Sequence, residues 1–394
     1  MANINPIFGP NRLKLGIFGS NGRSPTMSLV SELYKVSWPM ALETARLADE
    51  AGFEAIVPYA RWKGYIPGEP GDPTGTVLEP FTFAAGIAQA TRHAAVFATS
   101  HAPTVHPVMA AKMASTVDII SGGRFVLNVV GGWNKPELEM FGAPLREHDQ
   151  RYEYLAEWLK IMERLWADPN EFDFHGEFLS INRGSSMPKP LQQPRIPIMN
   201  AGGSDRGRSF ACEHADMCFI IIKSEDPEKI RAEVQSYRSE ARDRFGREIG
   251  IWTIGSVIQR DTVEEAEAYL RHVTIDQQDV RVADAWMELQ LEHAQLMAPE
   301  KMAAFRRRFV EGAGGFPLVG TADDICERFD LLADCGIDGV LLTWVDYIDG
   351  LNRFVADVLP QMEAAGLRAP FHPTIPSAPV ADIFPSAIRQ GEFS

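Results

Sequence analysis

Apolar positions along this chain fall into two kinds of run that take turns. Short continuous blocks of β-branched, aromatic and leucine residues lie at 13–19, 53–58, 93–99, 125–130, 196–200, 216–222, 250–259 and 339–344. Gly, Pro, Ser, Asn or Asp punctuate their ends, and they read as continuous rather than alternating, so each predicts a strand buried on both faces, as in a parallel sheet. Between them lie longer stretches with apolar residues at helical spacing, at 38–51, 79–92, 108–121, 151–167, 227–245, 262–271, 321–335 and 347–365, with a further helix beginning near Ser204. In 151–167, Tyr154, Leu155, Trp158, Ile161, Met162 and Leu165 share one helix face. Strand and helix succeed each other about every 30 residues, the rhythm of βα units. Eight such units predict an α/β fold, a (β/α)8 barrel.

Two stretches interrupt the rhythm. Residues 168–197 are rich in Pro and aromatics, and 273–318 are charge-laced and helical with Trp286, Met287 and Met302. Both read as insertions in a single barrel domain over residues 1–365, the second as a cover on the substrate side or an oligomer contact. Residues 366–394, with five prolines and little periodicity, predict a C-terminal arm or tail.

Charge and composition remove several function classes. A formal net charge of −15, with no basic cluster longer than Arg306-Arg307-Arg308, argues against nucleic acid. Cys212, Cys218, Cys326 and Cys335 lack CxxC spacing and read as reduced and mostly buried. No metal-ligand pattern stands out. The N-terminus lacks a basic-then-apolar leader and no apolar run approaches about 18 residues, so a cytoplasmic protein without a membrane span is expected. Gly16, Gly19 and Gly22 follow the first strand, but the spacing is not GxGxxG and no helix starts at Gly22, so a dinucleotide-binding turn is not expected.

A (β/α)8 barrel carries its chemistry on the loops after the C-terminal ends of its strands. On those loops or strand ends this sequence places Arg61, Thr99, His101, Asn128, Trp133, Glu137 and Ser204. Asn128 stands inside an otherwise apolar strand. Unpaired, its amide would cost about 1–3 kcal/mol, so it is either a satisfied core amide or a partner for a ligand with donors and acceptors. Ala201-Gly202-Gly203-Ser204 leads into a helix start, which suits a phosphate and equally a plain Ser N-cap.

Five segments together carry a family resemblance: Ile119-Ile120-Ser121-Gly122-Gly123-Arg124-Phe125, Asn128-Val129-Val130-Gly131-Gly132-Trp133-Asn134-Lys135-Pro136-Glu137, Glu147-His148-Asp149-Gln150-Arg151-Tyr152, Lys189-Pro190-Leu191-Gln192-Gln193-Pro194 and Ala201-Gly202-Gly203-Ser204. The chain resembles the bacterial-luciferase-like flavin-dependent monooxygenases, within them the pyrimidine and dimethyl sulfone monooxygenases. The resemblance implies reduced FMN supplied by a separate NAD(P)H-dependent flavin reductase, O2 as co-substrate, and oxygenation or cleavage of a small heterocyclic amide or organosulfur compound through a flavin peroxide. Position by position it implies FMN contacts at Ala60, Arg61, Asn128, Glu137, Arg151, Tyr152 and Ser204, and places Thr99, Asn128 and Trp133 where oxygen reacts. It also implies a homodimer or homotetramer. His101 and His106 depart from the family pattern and are candidates for acid/base duty or polar lining of the substrate pocket. Two other activities remain open on the same barrel: an F420-dependent dehydrogenase, and a flavin-binding protein without turnover.

Overall fold

The computed structural model describes residues 5–291 and 299–373; of the expected arm, residues 374–394 lie outside the described residues. The strands are β1 Lys14–Phe18, β2 Ala55–Val57, β3 Ala95–His101, β4 Phe125–Val130, β5 Phe172–His175, β6 Ser180–Gly184, β7 Ile198–Asn200, β8 Met217–Ile220, β9 Gly250–Gln259, β10 Phe316–Gly320 and β11 Gly339–Thr343. Eight of them pair in parallel in the order β1-β2-β3-β4-β7-β8-β9-β11, and β11 pairs back onto β1. The sheet is therefore a closed barrel, and closure removes its edges.

Alternation along each strand sorts the core into two layers. Ala55, Val57, Ala95, Phe97, Val126, Met199, Met217, Trp252 and Leu341 pack together inside the barrel. Val96, Ala98, Phe125, Leu127 and Val129 pack instead against the helices outside, with Ile87, Ala110, Ala114 and Trp158. Long apolar helix faces and continuous apolar strands thus produce a plugged cylinder whose mouth is free to carry polar groups.

Two elements depart from the sequence expectation. Phe316–Gly320 is a strand, although Pro317 in its middle argues against one. β10 pairs only with the C-terminal half of β9, beyond the stretch of β9 that β8 uses, so Pro317 occupies an edge strand that can spare an N–H. Within the 168–197 insertion, β5 and β6 form an antiparallel ribbon. The strand predicted at 93–99 runs on to His101, in register with β4 as far as Val130. All four cysteines are buried and free. No helix among the described residues is long and apolar enough to cross a membrane.

Candidate active site

Strand register sets the first pair of groups. Thr99 lies opposite Asn128 across β3 and β4, and both follow by two residues the inward-facing Phe97 and Val126. Period two then turns both side chains inward, one layer above the apolar plug. Asn128 Nδ2 donates to Thr99 Oγ1 at 3.0 Å, and Thr99 Oγ1 donates to the carbonyl of Pro58 at 2.6 Å. This leaves Asn128 Oδ1 buried with no hydrogen-bond partner among the described residues.

Past β4 the chain turns through Gly132, whose φ of 76° only glycine holds without strain, and enters the short helix Lys135–Met140. That helix points Glu137 inward, 1% exposed. Its Oε1 accepts from the backbone N–H of Trp62 at 2.8 Å and of Lys63 at 3.2 Å, and stands 3.7 Å from Arg61 Nε. The Arg61 guanidinium lies 4.6 Å from the Tyr65 ring centroid and 5.3 Å from that of Trp133. Burial works against the charge of Arg61, but Tyr65, Glu137, Tyr59 and Asp72 outweigh it and hold the guanidinium above its usual range. One buried carboxylate thereby ties the loop after β2 to the loop after β4.

His101 sits beside this carboxylate, its Nδ1 3.8 Å from Glu137 Oε2. Burial, with the nearby Arg61 charge, pushes the imidazole down to about 4, so it is neutral at pH 7 and the contact is neither an ion pair nor a hydrogen bond. The folded value lies below the ordinary value of about 6.5, so the folded state binds fewer protons than the unfolded state between these two values. Stability from this group is therefore complete above about pH 6.5 and drains as pH falls towards 4. Replacing His101 by Gln is expected to flatten the loss of melting temperature between pH 6.5 and 4.5; parallel curves for the two proteins would show that His101 does not titrate in this way.

The third group of residues gathers at the end of β7. Asn200 Nδ2 donates to the Val129 carbonyl at 2.7 Å and its Oδ1 accepts from Gly202 N at 2.9 Å, which fixes the loop leading to Ser204. Ser204 Oγ caps the helix Asp205–His214 by accepting from Gly207 N at 3.0 Å. Gly207 has no room for a side chain, since a Cβ there would lie 2.4 Å from the Tyr152 hydroxyl. That close approach brings Tyr152, from the helix His148–Ala167, onto the start of the Ser204 helix. The neighbouring Arg151 donates from NH1 to the Gly132 carbonyl at 3.2 Å.

A cavity of about 510 Å³ opens over the barrel mouth, lined by Arg23, Tyr59, Arg61, Tyr65 and Trp133 and by the apolar side chains of Phe219, Ile254, Val282, Trp286 and Phe309. The second group includes side chains from the 273–318 stretch, whose helices Val280–Leu291 and Pro299–Gly312 meet through Trp286 stacked on Phe309 at 3.9 Å. Of the residues singled out from sequence, Arg61, Trp133 and Trp286 line the cavity, as does Ala201, three residues before Ser204. Thr99, Asn128, His101 and Glu137 form a buried polar layer at the same end of the barrel, while Arg151, Tyr152 and Ser204 cluster beside it. His106 is a correction: it is exposed and caps the helix Pro107–Ser121, its Nδ1 accepting from Val108 N at 3.3 Å, so it lies outside the pocket. Sequence reasoning missed Arg23, Tyr59 and Phe309. For Arg23 the available signal was a lone guanidinium in the Gly/Ser/Asn/Pro-rich loop after the first barrel strand. Among the described residues no cluster of His, Cys, Asp and Glu could hold a metal ion.

With this geometry in place, comparison with known proteins decides the family. The family model described as luciferase-like monooxygenase matches residues 14–339. The chain belongs to the luciferase-like monooxygenase family. It is accordingly a flavin-dependent monooxygenase by class. Among relatives of this luciferase-like enzyme, the pyrimidine monooxygenase RutA of Cronobacter turicensis is 30% identical over 361 residues, 89% of this chain and 92% of that protein. Among solved structures, riboflavin lyase (RcaE) with modified FMN and riboflavin matches with a TM-score of 0.79 at 22% identity, covering 92% of this chain and 94% of that one. DmoA from Hyphomicrobium sulfonivorans matches with a TM-score of 0.76 at 20% identity, covering 92% and 90%. At such identities the structural likeness speaks for the barrel alone.

Proposed function

We propose that this luciferase-like protein is the oxygenase of a two-component system: it takes reduced FMN from a separate NAD(P)H-dependent reductase and uses O2 to oxygenate or open a small heterocyclic amide or organosulfur compound. The observation that carries the reading is a concentration of unmet hydrogen-bonding capacity. Fourteen buried side-chain polar atoms have no hydrogen-bond partner among the described residues, and six of them belong to Arg61, Trp62, Asn128, Asn134, Glu137 and Arg151 around the barrel mouth. Buried polar atoms are ordinarily paired, so this cluster calls for a polar ligand. The donors and acceptors of an isoalloxazine, its ribityl hydroxyls and a phosphate fit such a set.

Ala60, Arg61, Asn128, Glu137, Arg151, Tyr152 and Ser204 would hold the flavin. When bound, reduced FMN supplies the electron pair that activates dioxygen. The remaining work falls to the chain. The first turn of the Ser204 helix offers N–H groups with no intrahelical acceptor, and the Ser204 hydroxyl can donate to a phosphate oxygen while still accepting from Gly207 N. Asn128, held by Thr99, presents a fixed amide at the reacting edge, and Trp133 and Trp286 keep that space apolar and dry.

Rapid mixing of the protein and photoreduced FMN with oxygenated buffer tests the reading. Flavin reoxidation at a rate distinct from a protein-free control, with oxygen uptake coupled to product in the presence of a substrate, is expected. Reoxidation identical to the control would sink it, and flavin-independent turnover with F420 would replace it with a dehydrogenase. Ser204 supplies a separate prediction. Ser204→Ala should weaken FMN binding by about 1–2 kcal/mol, the scale of a charge-assisted hydrogen bond, and cost about 1 kcal/mol of stability through the lost cap. Ser204→Asp keeps the cap but sets a carboxylate against the phosphate, so it should leave the melting temperature near wild type and weaken FMN binding further. FMN affinity unchanged in both variants would take Ser204 out of the phosphate site.

A further inference from the structure

The cavity is lined by a second cation besides Arg61. Arg23, on the loop after β1, lines the cavity and its side chain is 8% exposed. Its NH2 donates to the Ser28 carbonyl at 2.6 Å and stands 3.3 Å from Asp279 Oδ2. Asp279 is itself anchored, its backbone N–H donating to the Met27 carbonyl at 2.9 Å and its Oδ1 accepting from Val282 N at 3.2 Å. The guanidinium is thus fixed through one nitrogen. Its Nε and NH1 have no hydrogen-bond partner among the described residues, and unlike Arg61 NH1 they are not sealed off from the accessible space of the cavity. A planar fork with one tine tied down and the others open is a preorganised receptor for a paired oxygen group.

The rest of the wall says what such a group would be attached to. None of the lining residues is Asp, Glu or Lys, so the cavity has cationic side chains and no acidic ones inside a chain of net charge −15. Two of the lining hydroxyls are already used, Ser24 Oγ donating to the Trp344 carbonyl at 2.7 Å and Thr26 Oγ1 to that of Glu311 at 3.3 Å. The lining also includes Val282, Trp286, Phe309 and Phe219, which form an apolar and largely aromatic wall. We propose that the substrate is a small ring-bearing organic acid whose carboxylate or sulfonate is gripped by Arg23 while its ring lies against the Trp286–Phe309 wall. This rests on the oxygenase reading, since it takes the cavity as the place where substrate meets flavin. Arg23 is then a specificity-determining residue, distinct from the flavin-side Arg61.

The test uses matched probes, each an acid against a neutral counterpart: uracil-6-carboxylate against uracil, benzoate against benzamide, and benzenesulfonate against benzenesulfonamide. Dissociation constants are read from tryptophan fluorescence on the full chain with FMN present, and FMN affinity and oxygen uptake are measured on the same samples. Wild type should bind the acid member of at least one pair tenfold or more tightly. Arg23→Gln should reduce that preference to within twofold, Arg23→Lys should keep part of it, and FMN affinity should stay within twofold in both. An acid preference absent in wild type, or equally large in Arg23→Gln, overturns the proposal; the wild-type comparison decides it even where a variant fails to fold. Normal FMN binding without acid preference sinks Arg23 as the anchor and leaves the oxygenase standing, whereas wild type that binds no FMN sinks the oxygenase reading itself.

Discussion

Asn128→Ala is expected to lower the rate of product formation by roughly 10²–10³, the loss that follows removal of one preorganised hydrogen-bonding group at a site of developing charge. The fold should barely notice. Thr99 Oγ1 keeps its bond to the Pro58 carbonyl, and the lost Asn128–Thr99 bond at 3.0 Å is worth about 1 kcal/mol. Alanine also fits β4 among Val126, Leu127 and Val129, and it removes an amide oxygen that had no partner. Activity and stability should thus separate in this variant, which a structural asparagine would not allow. Thr99→Val sharpens the point: it removes the acceptor that orients the Asn128 amide while preserving side-chain volume, so it should lower the rate in the same direction by a smaller factor. The measurement is oxygen uptake coupled to product, beside a thermal melt. Coupling in Asn128→Ala equal to wild type would remove the amide from the chemistry.

Why Asn128 could be singled out from sequence, while Arg23 could not, is a matter of contrast. A polar residue inside Phe125-Val126-Leu127-Asn128-Val129-Val130 breaks a strong local pattern, and strand parity then dictates that it faces inward. The barrel was legible for the same reason, because continuous apolar strands and amphipathic helices each repeat a period that only one architecture satisfies. Arg23 sits in a loop of small polar residues with no period to violate, and its environment is built by Asp279, 256 positions away. β10 was hidden by Pro317, whose penalty disappears only once the neighbouring strand is known. The helix Lys135–Met140 was visible in principle, since Pro136 and Glu137 sit at its second and third positions where helices favour such residues, but six residues are too few for periodicity to show. Long-range partners, rather than local propensity, fixed what was missed.

Glu137 is the residue whose loss should cost the fold most. Glu137→Ala leaves the N–H groups of Trp62 and Lys63 and the Arg61 guanidinium buried without their shared acceptor. Stripping one partner from a buried, hydrogen-bonded charge costs about 3–5 kcal/mol, because the partners stay desolvated. At roughly 2–4 °C per kcal/mol the melting temperature should fall by about 6–20 °C. The loss falls on one place: the loop after β2 carries Ala60, Arg61 and Tyr65, and without the carboxylate no other hydrogen bond among the described residues ties the Trp62 and Lys63 amides to the helix Lys135–Met140. FMN affinity should therefore drop together with stability. Glu137→Gln divides the two contributions, since its carbonyl oxygen can still accept from both N–H groups while the charge opposite Arg61 is gone. It should recover most of the melting temperature and only part of the FMN affinity. A Glu137→Ala protein that melts within 2 °C of wild type would mean the two loops are held together by packing alone.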